Sequence, residues 1–345
     1  MPFRHWKKMS NVSPIVVPIF ISNLGCPHRC VFCDQSQFSE PIPPEDVSGI
    51  VRNFVGFSRG AENRQKLIAF YGGSFTGLER SLLSSYLKVG SILVKEGVVD
   101  GLKASTRPDM VTPDILDLLI EAGFVELELG VQSMDDKVLA MSARGHSASD
   151  SLDACALVKR SGLRLGVQIM PGLPGEDRLS FKRTVELVTS MKPDVARIYP
   201  TVVMRGTGLE KMFIKGRYAP LDLEEAILRS LHAYAMFTLS GTKVLRMGLP
   251  QSDKLDVVAG PYHPAFGFLV KSRAYRIMVQ EMSRIYGEHI EVRVNPSSLP
   301  DLVGYRRSNM DFCNFTYKTD AALPKGSVAI DDTCLYLSDI IGRIL

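Results

Sequence analysis

The sequence predicts an α/β protein, a partial (β/α)6 barrel of the TIM type followed by a small C-terminal α+β domain. Two observations carry this prediction. From about residue 15 to 245, short β-like runs alternate with helix-like segments, the order of a parallel sheet with crossover helices. Most of the runs are apolar throughout, as strands buried on both faces are. A chain of 345 residues, 45% of them hydrophobic, is long enough to bury such a core.

Six strands are predicted, and the helices between them have recognisable starts. Pro44-Glu45-Asp46 opens the first helix and Thr112-Pro113-Asp114 the third. A longer helical insertion, 135–162, is divided near Gly145, and 221–239 is the last amphipathic helix of the barrel. The predicted strands are 15–22, 66–71, 101–106, 124–131, 164–170 and 195–199.

Beyond about residue 247 the sequence becomes rich in proline and loops, which indicates a domain boundary. We therefore predict an N-terminal extension (1–14), a barrel (15–246) and a C-terminal domain (247–345). The net charge of +4 is too small a surplus to mark a nucleic-acid surface by itself. No apolar run reaches the roughly 18 to 20 residues that span a bilayer, and no signal peptide is recognisable, so we expect a cytoplasmic protein with no membrane contact.

Three of the six cysteines, Cys26, Cys30 and Cys33, lie within eight residues directly after the first predicted strand. Thiolate is the ligand that iron–sulfur clusters require. If these thiols bind three irons of a 4Fe–4S cluster, the fourth iron is open to an outside ligand. The loop after a barrel strand suits a reactive site, because active sites of such folds gather at the carboxyl ends of the strands. The scattered Cys155, Cys313 and Cys334 are expected to be buried or idle thiols.

A structural zinc ion is the alternative, and it needs four protein ligands. His28 is the nearby candidate, but it lies inside the loop that it would have to close. The spacing Cys-x3-Cys-x2-Cys, with Phe32 before the last cysteine, resembles the radical S-adenosylmethionine (SAM) superfamily. The resemblance implies that SAM chelates the open iron. It also implies that an electron, from a donor of the flavodoxin or ferredoxin type, cleaves SAM to a 5′-deoxyadenosyl radical.

Later motifs extend the resemblance. The segment 71–75, Tyr-Gly-Gly-Ser-Phe, follows the second predicted strand and looks like the family's double-glycine motif, although an ordinary strand-to-helix turn is the alternative. Glu126 and Glu128 share one face of the fourth predicted strand. A ribose hydroxyl, Arg107 or a helix lysine is the expected partner of a carboxylate there, because an unpaired buried carboxylate is costly.

The predicted SAM-binding residues lie at the ends of successive predicted strands. Gln168, on the fifth strand, is expected to hydrogen-bond the methionyl group of SAM or else to be satisfied by backbone in the core. No catalytic residue is predicted. The predicted set is Gly72, Gly73, Ser74, Ser105, Glu128, Gln132 and Gln168.

Four segments in order resemble the radical SAM domain of the Elongator catalytic subunit, the elongator protein 3 family, over roughly 15–245. They are Gly130-Val131-Gln132-Ser133, Arg144-Gly145-His146, 169–175 and 198–207. That family modifies the wobble uridine of tRNA and joins this domain to an acetyltransferase. This chain lacks the family's longer insertion between the cluster cysteines, and nothing after Met247 resembles an acetyltransferase.

Three functions remain open. The first is a radical SAM enzyme that modifies tRNA, which the longer motif matches favour. The second is a radical SAM oxidase of a small molecule such as a porphyrinogen, since the oxygen-independent coproporphyrinogen oxidases resemble this chain in a compact three-cysteine loop and a Gly-x-Gln-Ser strand. The third is a non-catalytic iron–sulfur sensor, which needs neither an open iron nor a SAM pocket.

Overall fold

The computed structural model describes residues 13–34, 39–58, 60, 64–252 and 255–345, so that all but the last two residues of the predicted N-terminal extension lie outside it. The strands are β1 (Ile15–Phe20), β2 (Lys66–Tyr71), β3 (Gly101–Thr106), β4 (Phe124–Gln132), β5 (Arg164–Ile169), β6 (Val195–Ile198), β7 (Val203–Met204), β8 (Lys243–Met247), β9 (Val257–Ala259), β10 (Ile290–Val294), β11 (Phe315–Thr319), β12 (Ser327–Ile330) and β13 (Thr333–Tyr336). The α-helices are α1 (Pro44–Phe57), α2 (Arg80–Lys95), α3 (Pro113–Ala122), α4 (Asp136–Met141), α5 (Ala148–Arg160), α6 (Arg178–Ser190), α7 (Gly208–Ile214), α8 (Leu223–Leu239), α9 (Phe266–Tyr286), α10 (Leu299–Val303) and α11 (Ser308–Phe312).

A seven-stranded sheet carries the fold, in the order β1-β2-β3-β4-β5-β6-β8. The pairs β1–β2, β2–β3, β3–β4 and β6–β8 are parallel, as predicted. The predicted count of six strands is wrong by one, because no apolar run marks β8. Lys243, Leu245 and Arg246 of this edge strand are exposed, so β8 lacks the continuous apolar run of a buried parallel strand.

Helix boundaries follow the predicted signals. Thr112 caps α3 by accepting a hydrogen bond from the Ile115 backbone N–H at 3.4 Å. The insertion is divided into α4 and α5, and Gly145 in the connection adopts a φ of 69°, which glycine reaches without strain. None of the described helices is long and apolar enough to cross a membrane.

The chain divides into two compact units. One holds residues up to Arg29 together with Cys33–Val131 and Arg144–Val167. The other holds Cys30–Phe32, Gln132–Ala143 and Gln168–Leu345. The second unit includes a four-stranded sheet, β11-β10-β12-β13, whose apolar face packs with α9 in one core, and this is the smaller C-terminal α+β part. The predicted domain boundary at residue 247 stays a prediction.

An ion triad lies inside the first unit. Lys103 of β3 and Glu126 of β4 stand in register, are both almost fully buried and form a salt bridge. Arg164 of β5 binds the other carboxylate oxygen of Glu126 at 3.1 Å. Burial, the largest influence, lowers the pKa of Lys103, but Glu126, Tyr71 and Glu128 together raise it, so the amine stays charged.

This triad corrects the expected partners of Glu126. Arg107 binds Asp109 instead, at 2.9 Å, and the lysine that pairs with Glu126 belongs to a neighbouring strand rather than to a helix. Glu126 is therefore occupied by two cations of the fold.

We expect Glu126→Gln to lower the free energy of unfolding by about 3–5 kcal/mol, because it leaves Lys103 buried without its counter-ion. The matched control is Glu96→Gln. Glu96 pairs with Arg52 where both side chains are about half exposed, and loss of such a pair costs about 1 kcal/mol or less. Urea unfolding of both variants measures the difference, and equal costs would contradict the assignment.

Candidate active site

The loop that carries the three cysteines begins with a turn fastened to the double-glycine segment. Asn23 donates its backbone N–H to the carbonyl of Gly72 at 2.8 Å, and Ser74 donates its own to the carbonyl of Leu24 at 2.9 Å. Gly25, just before the first cysteine, has a φ of 70°. The end of β2 and the start of the cysteine loop are thus joined by two backbone hydrogen bonds.

Three glycines make this junction possible, because no side chain fits at any of them. A Cβ atom on Gly25 would lie 2.1 Å from the Ser74 carbonyl oxygen, and one on Gly73 would lie 2.4 Å from the Leu24 carbonyl oxygen. A Cβ on Gly77 would lie 2.3 Å from the Gly25 oxygen. All three contacts are with backbone, which cannot move aside as a side chain does. Of the three, sequence reasoning identified only Gly73.

The middle of the loop, Cys30–Phe32, is held within the second unit. The backbone N–H of Val31 donates to Ser142 at 3.1 Å, and its carbonyl accepts from the Leu209 N–H at 2.6 Å. Gly208 lies so close that a Cβ there would be 3.2 Å from the Val31 Cα. Val31, between two of the cysteines, therefore has both backbone polar groups bonded to protein.

Two histidines that the sequence analysis named, His28 and His146, lie in the cysteine loop and in the Arg-Gly-His segment. A Cβ on Gly145 would lie 2.2 Å from the imidazole of His28, so the Arg-Gly-His segment packs on the cysteine loop within the first unit. His146 is buried, and burial together with Arg144 and Arg107 lowers its pKa to about 4. Its imidazole is neutral at pH 7, which fits a packing role.

Cys26 is exposed, Cys30 is buried and Cys33 is half-buried, and none of them is in a disulfide. Over the described ranges, no three Cys, His, Asp or Glu side chains are grouped closely enough to hold a metal ion. The donor set nonetheless fits an iron–sulfur cluster, because reduced thiols are its required ligands and Val31, between two of them, is held by backbone hydrogen bonds.

The predicted SAM-binding side chains form two hydrogen-bonded pairs. In the first unit, Ser105 Oγ donates to Glu128 Oε1 at 3.1 Å across strands in register, two residue pairs further toward the carboxyl ends than Lys103 and Glu126. In the second unit, Gln168 Nε2 donates to Gln132 Oε1 at 3.3 Å. Gln132 has a φ of 67°, a left-handed conformation that a non-glycine residue seldom adopts.

Ser74 is fully buried and serves the protein itself. The Ser74 hydroxyl lies 2.9 Å from Thr106 Oγ1 and accepts a hydrogen bond from the Arg107 backbone N–H at 3.2 Å. Thr106 Oγ1 also lies 2.6 Å from Thr76 Oγ1. The two threonines were missed, although hydroxyl residues after the double glycine and at the end of β3 were a visible signal. This cluster fixes the double-glycine segment to the neighbouring strand.

A second buried group that the sequence did not reveal follows β5. Glu176 accepts the Gly172 N–H at 2.6 Å and a hydrogen bond from Arg229 at 2.9 Å, while Tyr218 donates to the Gly172 carbonyl at 2.7 Å. Burial raises the pKa of Glu176 to about 8 against the opposing effects of Gly172 and Arg229. These hydrogen bonds join Gly172 of the turn 171–175 to Tyr218 and, through Glu176, to Arg229 of α8.

Comparison with known proteins decides the family. A model described as the radical SAM superfamily matches residues 20–188, and one described as the Radical_SAM C-terminal domain matches residues 193–276. The chain belongs to the radical SAM superfamily. Its members are enzymes that use a 4Fe–4S cluster and SAM, which confirms the predicted enzyme class and cofactors and disfavours the zinc and sensor alternatives.

Several curated relatives are similar to this radical SAM enzyme. The uncharacterized protein MJ0486 of Methanocaldococcus jannaschii is 33% identical over 61% of this chain and 68% of its own. The tRNA uridine(34) acetyltransferase of the same organism is 27% identical over 66% of this chain and 50% of its own. Human Elongator complex protein 3 is 34% identical over 38% of this chain and 25% of its own. The chain spans about half the length of the tRNA uridine(34) acetyltransferases it matches.

A solved structure shares the fold. The archaeal Elp3 of Methanocaldococcus infernus, with residues 1–46 deleted, has a TM-score of 0.56 and 20% identity, covering 80% of this chain and 66% of that one. This likeness confirms the predicted fold class, a partial α/β barrel with a smaller C-terminal part.

We expect Gly25→Ala to cost about 1–3 kcal/mol more stability than Gly97→Ala, because the new methyl group meets backbone. Gly97 is the matched control, since its φ of 72° is almost the same and nothing lies within 4 Å of its Cβ position. We also expect less iron per chain after anaerobic reconstitution for Gly25→Ala alone. Equal unfolding energies and equal iron contents in the two variants would contradict the packing argument.

A pH dependence follows from His146, whose folded-state pKa of about 4 lies below the ordinary value of 6.5. Its contribution to stability is complete above pH 6.5 and is lost as the pH falls toward 4. Between pH 7 and 5 we expect the wild type to lose about 2 kcal/mol more than His146→Gln, which has no imidazole to protonate. Urea unfolding at several pH values measures the free energy of unfolding of both proteins. If this free energy changed equally with pH in the wild type and in His146→Gln, the fold would not hold His146 neutral.

Proposed function

We propose that this radical SAM enzyme modifies a nucleoside of tRNA. The observation that carries the proposal is the likeness to the tRNA uridine(34) acetyltransferases, which extends over 62–66% of this chain. In this chain the double-glycine segment is bonded to the start of the cysteine loop, Gly145 of the Arg-Gly-His segment packs on His28, and Gln132 of the Gly-Val-Gln-Ser segment pairs with Gln168.

We assign Cys26, Cys30 and Cys33 as the cluster ligands. When bound, the cluster and SAM supply a 5′-deoxyadenosyl radical, after one electron arrives from a donor of the flavodoxin or ferredoxin type. The work of the chain is to hold three thiols on one short loop, with Val31 fixed between two of them by backbone hydrogen bonds. Three protein ligands leave one iron position for SAM.

The two polar pairs are proposed to orient SAM. Glu128, almost fully buried, is suited to accept hydrogen bonds from ribose hydroxyls, and Ser105 holds its carboxylate in place. Gln132 and Gln168 are suited to bind the methionyl group, since paired amides offer donors and acceptors together. Gly72 and Gly73 keep this stretch of backbone free of side chains, and Ser74 anchors it to Thr106.

Reconstitution tests the cofactor assignment. The wild type is expected to bind about four irons per chain and to release 5′-deoxyadenosine from SAM on reduction. Cys30→Ala is expected to abolish 5′-deoxyadenosine release, whereas Cys334→Ala, a half-buried thiol outside the loop, retains it. A colourless zinc protein, or a Cys30→Ala variant with full SAM cleavage, would overturn the assignment.

The substrate is tested with RNA and metabolites from a strain that lacks the gene. We expect one nucleoside of total tRNA to change mass when that tRNA is incubated with reconstituted enzyme, SAM and reductant, as measured by mass spectrometry of the digested RNA. The control reaction uses the Cys30→Ala variant. If the tRNA stays unchanged while a small metabolite such as a porphyrinogen is consumed, the tRNA proposal is wrong.

A further inference from the structure

A groove outside the proposed SAM site is lined by α8, β8 and the start of α9, all in the second unit. Its volume is about 530 Å³, the size of an ordinary ligand site. Three cationic side chains line it, Lys243, Arg246 and Lys271, and none of its lining residues within 13–34, 39–58, 60, 64–252 and 255–345 is acidic. Tyr234 and Phe268 add aromatic surface. Cations and aromatic rings in one groove are the combination that binds single-stranded nucleic acid.

A bulge in β8 places two of the cations on one side. In a regular strand, Lys243 and Arg246 would point to opposite faces because they are three residues apart. Here Lys243 pairs with Val195 and Arg246 pairs with Arg197, so β8 has one extra residue, Leu245. Val195 and Arg197 share a face of β6, and their partners therefore share that face as well.

These cations are outside the salt bridges found in the part of the chain that the structure describes. None of the three forms an ion pair there, although many other basic side chains do. The charge of Lys271 lowers the pKa of Asp301, but burial, the larger influence, raises the pKa of this carboxylate. Lys243, Arg246 and Lys271 are all exposed, so their charge is available to a ligand.

The basic and aromatic character continues beyond the groove. His263 lies next to Pro264, which lines the groove, and its ring meets that of Tyr305 edge-on at 5.2 Å. Arg306 and Arg307 follow Tyr305, both exposed, and the Arg306 guanidinium lies 5.3 Å from the Tyr305 ring. The surface is thus longer than a single anion requires, which favours a polymer.

Charged side chains on an edge strand also have an explanation that involves no ligand, because they prevent edge-to-edge aggregation. That explanation accounts for Lys243 and Arg246 but not for Lys271, which stands on a helix across the groove. It also does not account for Phe268 and Tyr234, which line the same groove.

We propose that this groove binds the sugar-phosphate backbone of RNA, with a base stacked on Phe268. The proposal rests on the proposed function, which supplies tRNA as the RNA. The groove is then a docking surface that holds the substrate outside the chemical site. Its contribution is electrostatic and sequence-independent, so it depends on salt.

The test is tRNA binding at several salt concentrations by the reconstituted full chain. For the triple variant Lys243→Gln, Arg246→Gln, Lys271→Gln we expect a salt slope smaller by about 2 to 3 and at least about a tenfold weaker Kd at low salt. The exchange Lys243→Arg, Arg246→Lys, Lys271→Arg keeps the charges and is expected to bind as wild type. A matched control removes three exposed cations of α2 with Arg80→Gln, Lys88→Gln and Lys95→Gln, and keeps the wild-type slope.

The outcomes separate this proposal from the proposed function. If the wild type binds and modifies tRNA but the groove variant has an unchanged slope and affinity, the groove proposal fails alone. If no tRNA is bound or modified by the wild type at low salt, the proposed function fails, and the groove proposal with it. If tRNA binding is intact while reduction by a ferredoxin-type protein is slowed, the groove docks an acidic protein and the RNA proposal is overturned. Melting temperatures and iron contents confirm that each variant is folded.

Discussion

The close packing of backbone on backbone at Gly25, Gly73 and Gly77 is the constraint on which the candidate site depends. β1 and β2 run parallel with Phe20 opposite Tyr71, and directly beyond them the chain turns so tightly that no Cβ fits at the three contacts. The first cysteine follows this junction. The strand pair therefore fixes where the cysteine loop begins, and the double glycine is needed for packing as well as for any approach of a ligand.

Two carboxylates on one strand of the first unit, Glu126 and Glu128, have different partners. Glu126 forms salt bridges with Lys103 and Arg164, and these salt bridges connect β3, β4 and β5 in the interior. Glu128, two residue pairs closer to the carboxyl ends, is oriented by the neutral hydroxyl of Ser105. A layer of ion pairs thus lies beneath a polar layer, and the polar layer lies at the end of the strands where barrel enzymes bind substrates.

Much of this arrangement can be predicted from the sequence, and each feature that the prediction missed has a physical reason. Continuous apolar runs predict six of the seven sheet strands, but β8 is exposed at the sheet edge and lacks that pattern. Thr112 and Gly145 predict helix boundaries because caps and left-handed turns are local. The Lys103–Glu126 pair and the contact of Gly25 with Ser74 join residues at least 23 apart, and spacing alone does not reveal such pairs. The family motifs found the cysteine loop and the double glycine, while the hydroxyl cluster and Glu176 required coordinates.

We propose that the three-cysteine loop leaves one iron of the cluster open and that SAM binds this iron. The most direct measurement is the electron paramagnetic resonance spectrum of the reduced, reconstituted enzyme with and without SAM labelled with ¹⁵N at its amino group. We expect SAM to shift the spectrum of the cluster and the nitrogen label to produce a hyperfine coupling. A reduced cluster whose spectrum is the same with and without SAM would contradict it.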